Sequence, residues 1–87
     1  PPRRLTLLHL DGTAEALPAA GSALELDGRP VGFVGSSVRH HELGPIALAL
    51  VKRAVPVDAT LTVDGIAAAQ EILVDPEVGL HFRANLR

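Results

Sequence analysis

Apolar and polar residues alternate along most of this chain with a period of two rather than 3.6, the spacing of strands rather than helices. Leu5, Leu7 and His9 share one face of the first segment and Thr6, Leu8 and Leu10 the other. Arg4 to Leu10 therefore predicts a strand buried on much of both sides. Asp11-Gly12 breaks it, and the small, polar stretch from Thr13 to Gly21, interrupted by Pro18, is expected to be loop. Ala23 to Leu26 predicts a second strand, with Leu24 and Leu26 on one face and Glu25 opposite. Asp27-Gly28 follows, and Asp-Gly between two apolar runs signals a two-residue type I′ hairpin, whose central residues both need positive φ. The partner strand is Arg29 to Val38, with Val31, Phe33 and Gly35 alternating against Gly32, Val34 and Ser36. Glycines inside a strand imply a bend or a close approach of another backbone.

Arg39-His40-His41-Glu42-Leu43-Gly44-Pro45 is the most polar stretch and predicts a loop, with Pro45 disfavouring helix at Gly44. Ile46 to Lys52 reads as a buried strand, and Val55 to Asp58 as a loop around Pro56. Thr60 to Val63, Asp64-Gly65 and Ile66 onward repeat the Asp-Gly hairpin pattern. Local propensity conflicts with context here, because Ile66 to Leu73 is rich in alanine, the best helix former. The preceding turn and the β-branched residues up to Val74 favour a strand, ended by Pro76. From Glu77 to Arg87, Leu80, Phe82 and Leu86 are available to pack, in a form the pattern does not define. About six strands, with turn signals every 8–15 residues, make the fold class all-β: a small antiparallel Greek-key barrel.

Composition narrows the function classes. The 87 residues make one small domain, and 47% hydrophobic against 21% charged excludes a disordered chain. Phe33 and Phe82 are the only aromatics, so the core is aliphatic. With no cysteine, disulfides, thiolate metal sites and thiol nucleophiles are excluded together. A net charge of −2 and the lack of aromatic interleaving argue against a nucleic-acid partner. No apolar run reaches the ~18–20 residues of a membrane helix and no signal-peptide pattern opens the chain, so no membrane partner and a cytoplasmic location are expected. The abrupt opening at Pro1-Pro2-Arg3-Arg4 and the lack of methionine lead to a further expectation: residues 1–87 are a single domain excised from a longer protein. A surface uncovered by such excision would allow the isolated domain to self-associate.

Candidate chemistry is sparse. His40, His41 and Glu42 are adjacent, and His9 and His81 are candidates to approach them. Consecutive side chains of an extended segment point in opposite directions, so a shared metal ion is not expected. Arg39 with His40 and His41 reads better as an anion-contacting corner, because a guanidinium fork suits carboxylates and imidazole adds a donor. Ser36-Ser37 lacks a nucleophile elbow, and Gly32-Phe33-Val34-Gly35 lacks the Lys-Ser/Thr ending of a phosphate loop. Arg3-Arg4 and Lys52-Arg53 read as solubilising charges at strand ends. No catalytic residue is assigned, and this chain alone is not expected to be an enzyme.

The order of segments carries a resemblance. Asp27-Gly28-Arg29-Pro30-Val31-Gly32-Phe33-Val34-Gly35-Ser36-Ser37 resembles the glycine- and valine-rich strand of aminomethyltransferase C-terminal domains, the superfamily of the glycine-cleavage T-protein. Leu43-Gly44-Pro45-Ile46-Ala47-Leu48-Ala49-Leu50-Val51 is similar to the strand that follows it there. Asp64-Gly65 with Ile72-Leu73-Val74-Asp75-Pro76 is similar to the closing hairpin. Pro1 to Leu5 and the Arg-His-His-Glu-Leu-Gly-Pro-Ile-Ala-Leu loop look closest to the YgfZ-type folate-binding proteins of iron–sulfur cluster maintenance. The chain departs from the T-protein pattern at His40-His41, at Gly35 in place of Thr, and at Glu77 in place of Phe. The resemblance implies a non-catalytic barrel lobe packed on upstream folate-binding domains of the same parent chain. In that setting tetrahydrofolate is bound mainly by those upstream domains. Arg39, with His40 and His41 as lesser contributors, would reach the glutamate tail of the folate. A glycine-cleavage aminomethyltransferase and a free-standing protein-interaction barrel are the alternatives.

Overall fold

The computed structural model describes residues 3–13 and 15–72; Leu73 to Arg87, with His81, Phe82 and the expected closing Pro76, lie outside them. Six strands follow in chain order: β1 (Arg3–Leu10), β2 (Ala23–Leu26), β3 (Arg29–His40), β4 (Gly44–Lys52), β5 (Leu61–Val63) and β6 (Ile66–Ile72). They form a closed antiparallel barrel in the order β1-β4-β3-β2-β5-β6, with β6 returning to pair with β1. β2, β3 and β4 are joined by successive hairpins and β1 lies beside β4, which is the Greek-key arrangement the turn signals predict. Asp27 and Gly28 have φ of 53° and 80°, and Asp64 and Gly65 have 53° and 76°. Both Asp-Gly pairs thus make the positive-φ turns their chemistry favours. The alanine-rich segment is β6, not helix, because it is hydrogen-bonded between β1 and β5.

The core is aliphatic: Leu8, Leu24, Leu61, Val34, Val51 and Val63 are all almost fully enclosed. Burying each of these side chains contributes about 1.5–3 kcal/mol. Two loops close the barrel. The segment 11–22 crosses the end that bears the β3–β4 hairpin, and the segment 53–60 crosses the opposite end, where Val55 enters the core.

The glycines of β3 serve both purposes expected of them. β3 carries an extra residue at Val31 against β2 and another at Gly35 against β4, and such bulges bend a strand. The bulge changes the parity of β3, so Val31 and Val34 both turn inward, where strict alternation placed them on opposite faces. At Gly32 a Cβ would collide with the Leu50 carbonyl oxygen and lie 3.0 Å from the Val51 Cα. Only glycine permits β3 and β4 to approach this closely.

Three expectations need correction. β1 and β4 are each covered on one side only: Arg4, Thr6, Leu8 and Leu10 face in with Pro45, Ala47, Ala49 and Val51, while Leu5, Leu48 and Leu50 face out. The polar stretch 39–45 is mostly strand, because pairing of Arg39 with Pro45 and His40 with Gly44 extends β3 and β4 until only His41–Leu43 remains as turn. Arg4 is a buried residue, 7% exposed, rather than a solubilising charge, since it shares the inward parity of Thr6 and Leu8.

Candidate functional site

Arg39, His40 and His41 meet at the tip of the β3–β4 hairpin. His40 ends β3, and its Nδ1 accepts hydrogen bonds from the backbone N–H groups of Glu42 (3.0 Å) and Leu43 (3.1 Å). An imidazole nitrogen that accepts carries no proton, so neutral His40 holds its proton on Nε2. His40 is thus the structural cap of its own turn. That turn also stacks the two imidazoles, with centroids 4.6 Å apart and planes inclined by 22°. The opposite orientation expected of consecutive extended residues fails because His41 has already left the strand. His41 is well exposed and its Nε2 lies 3.4 Å from Glu42 Oε1. The corner therefore carries its own carboxylate.

Arg39 lies beside this pair and reaches across the barrel end, where Nη2 donates to the Glu15 carbonyl at 3.0 Å. Two residues earlier the Ser37 hydroxyl donates to the Pro18 carbonyl at 2.8 Å. Together with backbone bonds between Gly21, Ser22 and Val34, these contacts fasten the 11–22 loop onto β3. Arg39 is exposed, and its planar guanidinium fork suits carboxylates. The same barrel end holds Asp11, whose carboxylate accepts from the Thr13 N–H (3.0 Å) and hydroxyl (2.9 Å). Those two bonds hold its pKa below the ordinary carboxylate value.

His9 does not approach His40 or His41. It pairs with Glu71 on the barrel exterior, Nε2 to Oε1 at 2.7 Å, because β1 lies between β4 and β6. Among the described residues no group of three His, Cys, Asp or Glu side chains is placed to hold a metal ion. The Ser37 hydroxyl serves the Pro18 latch.

Residue-type reasoning missed a second polar cluster at the opposite barrel end. Arg4 donates through Nη2 to Gln70 Oε1 (2.6 Å) and to the Val55 carbonyl (3.2 Å), and through Nη1 to the Lys52 carbonyl (3.4 Å). Gln70 in turn donates to the carbonyls of Pro56 (2.9 Å) and Ala59 (2.8 Å). The pair pins the 53–60 loop over the barrel mouth. Arg4 Nε and Thr6 Oγ1 are buried there with no hydrogen-bond partner among the described residues. The period-two pattern of β1 was the available signal, since it sets Arg4 in register with Thr6, Leu8 and Leu10.

Comparison with known families finds that the model described as "CAF17, C-terminal beta-barrel domain" matches residues 3–73, a span that includes all six strands. Comparison with curated proteins finds no match.

Proposed function

Since the chain belongs to the CAF17 C-terminal β-barrel domain family, related to proteins of iron–sulfur cluster assembly, we propose that it serves as the non-catalytic barrel lobe of a YgfZ-type tetrahydrofolate-binding protein. The observation that carries this reading is the family match over all six strands. The closed barrel supports it, because an interior filled by Leu8, Leu24, Leu61 and their neighbours holds apolar side chains and the polar contact points lie at the rims. In this reading the pterin of tetrahydrofolate sits on domains upstream in the same polypeptide. The β3–β4 tip meets the negatively charged glutamate tail. Arg39 supplies the charged fork, while His40 and His41 supply imidazole donors on a hairpin held rigid by the His40 cap. No catalytic step falls to these residues.

The test uses the full-length polypeptide that carries this domain. Arg39→Ala is expected to weaken binding of a polyglutamylated tetrahydrofolate about 5–30-fold while leaving the monoglutamate nearly unchanged, as loss of a charge-assisted contact of ~1–2 kcal/mol would do. Equal affinities of variant and wild type for both ligands would remove Arg39 from the site. A polypeptide in the source cells no larger than this chain would refute the lobe reading altogether.

A further inference from the structure

The turn at the β3–β4 tip is built on an atom that can take up a proton. His41, Glu42 and Leu43 are the turn residues between His40 and its partner Gly44, and Gly44 takes a φ of 75° as the chain enters β4. A turn this tight carries its backbone N–H groups away from the ladder, and each needs another acceptor. Two of them, those of Glu42 and Leu43, donate to the single atom His40 Nδ1, at 3.0 and 3.1 Å. A ring nitrogen offers one lone pair. Both bonds draw on it, so both are lost when a proton occupies it, and Nδ1 then presents a third N–H to two others. Asn and Asp cap turns in a similar way through a side-chain oxygen. Histidine does so with a group whose charge changes near neutral pH.

The charged neighbours of His40 act in the same direction. The His41 ring stacks on it with centroids 4.6 Å apart, and two protonated imidazoles at that separation repel each other. Arg39, the preceding residue, is a fixed cation whose Nη2 donates to the Glu15 carbonyl. The Glu42 carboxylate lies 3.4 Å from His41 Nε2, on the other ring, and among the described residues no carboxylate pairs with His40. From the 11–22 loop, which packs against this barrel end, the charged residues are Glu15 and Asp11, the latter engaged with Thr13. The sign follows from the hydrogen bonds. They exist only with Nδ1 unprotonated, so the order they give the turn is complete above the range where histidine changes charge and is lost as pH falls through it. The anchors behind the tip, Arg39 on Glu15 and Ser37 on Pro18, use carbonyl acceptors that do not titrate. The change is therefore confined to residues 40–44, ahead of a barrel that stays closed.

We propose that His40 is a pH-sensitive clasp: unprotonated at Nδ1 it closes the β3–β4 tip on the Glu42 and Leu43 amides, and on protonation it releases them while the barrel remains folded. Near neutral pH the tip is one rigid shape, and in acid it loosens and gains positive charge. The inference concerns the hairpin's own chemistry and does not rest on the ligand proposed for this corner. The test is an NMR titration of the intact chain from about pH 7.5 to about pH 5, across the range in which histidine changes charge. At the upper limit the ¹⁵N shifts of His40 are expected to show a protonated Nε2 and an accepting Nδ1. As pH falls, the Glu42 and Leu43 amide resonances should move with the same midpoint as the His40 ring. Their protection against solvent exchange, corrected for the intrinsic effect of pH, should drop about 5–10-fold, as loss of one hydrogen bond each implies. The amides of Leu8 and Val51, in the core strands, should stay unchanged. His40→Asn offers an oxygen that takes no proton and is expected to leave both tip amides insensitive to pH. His41→Gln removes the second imidazole and is expected to retain the wild-type response. The proposal is overturned if His40 titrates while the two amides stay still, or if they respond equally in His40→Asn. Loss of the response in His41→Gln would also overturn it, by assigning the effect to His41. Should either variant fail to fold, the coincidence of midpoints in the wild-type chain decides the matter alone.

Discussion

Replacing Arg4 with methionine tests whether the barrel mouth is held by polar contacts or by apolar packing. Arg4 is a buried cation whose described partners are all neutral: Gln70 Oε1, the Val55 carbonyl and the Lys52 carbonyl. The contact at 3.4 Å is weak, so two effective bonds remain. Net contributions of hydrogen bonds from charged donors run to about 1.5–3 kcal/mol each, which sets a gross loss of about 3–6 kcal/mol. Against this stands the desolvation of the guanidinium, which an apolar side chain recovers in part. The two acceptors left unmatched are the source of that gross loss and not a further cost, and the desolvation recovered brings the balance to about 2–3 kcal/mol of destabilisation. For a domain of this size that lowers Tm by about 10–15 °C. Thermal and urea unfolding of Arg4→Met, Gln70→Met and the double variant would measure it, with a coupling energy of about 1–2 kcal/mol expected between the two sites. Native-state hydrogen exchange should show the Val55 and Ala59 amides, bonded to Lys52 and Pro56, losing protection first. An Arg4→Met variant as stable as wild type, or a coupling below ~0.5 kcal/mol, would show that the polar plug adds nothing to the closure of the barrel.

Two further outcomes follow from the geometry. Gly32→Ala sets a methyl against the Leu50 carbonyl and is expected to cost at least ~2 kcal/mol, with the β3–β4 amides exchanging faster; a variant with wild-type Tm would show that the two strands can separate freely. Asp11 is more acidic than an ordinary aspartate because Thr13 hydrogen-bonds its ionised form. Its contribution to stability is therefore complete above the unfolded-state pKa and is lost as pH falls through the lower folded value. A carboxyl ¹³C titration should place the Asp11 midpoint below the ordinary range, and Thr13→Ala should move it part of the way back; no movement would assign the shift to another cause.

The parts of the fold legible in the sequence are those governed by local chemistry. Asp27-Gly28 and Asp64-Gly65 announce their hairpins because few residue pairs accept two successive positive φ angles. The identity of β6 was legible only against its own alanine propensity, through the turn before it. Parity along β3 was not legible, because the two extra residues at Val31 and Gly35 leave no mark on the alternation that strict counting could detect. At the candidate site, residue type gave Arg39, His40 and His41 as a corner, and the backbone does gather them. The role of His40 as a turn cap depends on the conformation of residues 41–43, which no pattern of types encodes. Arg4 was misjudged for the opposite reason: its type suggested solvent while its position in the alternation pointed inward, and position prevailed. The outward leucines of β1 and β4 were legible as apolar, but a sequence cannot say which of two apolar faces its own chain will cover.

The placement of β1 bears on how the chain reaches this state. Both neighbours of β1 come later in the sequence: β4 begins at Gly44 and β6 at Ile66. During synthesis at ~5–20 residues per second, β1 therefore waits several seconds before its second partner exists. Throughout that interval a strand with Leu5, Leu7, Leu8 and Leu10 is available for pairing with any other nascent chain. The charges of Arg3 and Arg4 sit at its leading edge, where flanking cations keep apolar strands from associating. Arg4 thus acts at two different times: it guards β1 in the unfinished chain, and it becomes the plug of the barrel once β6 brings Gln70 into reach.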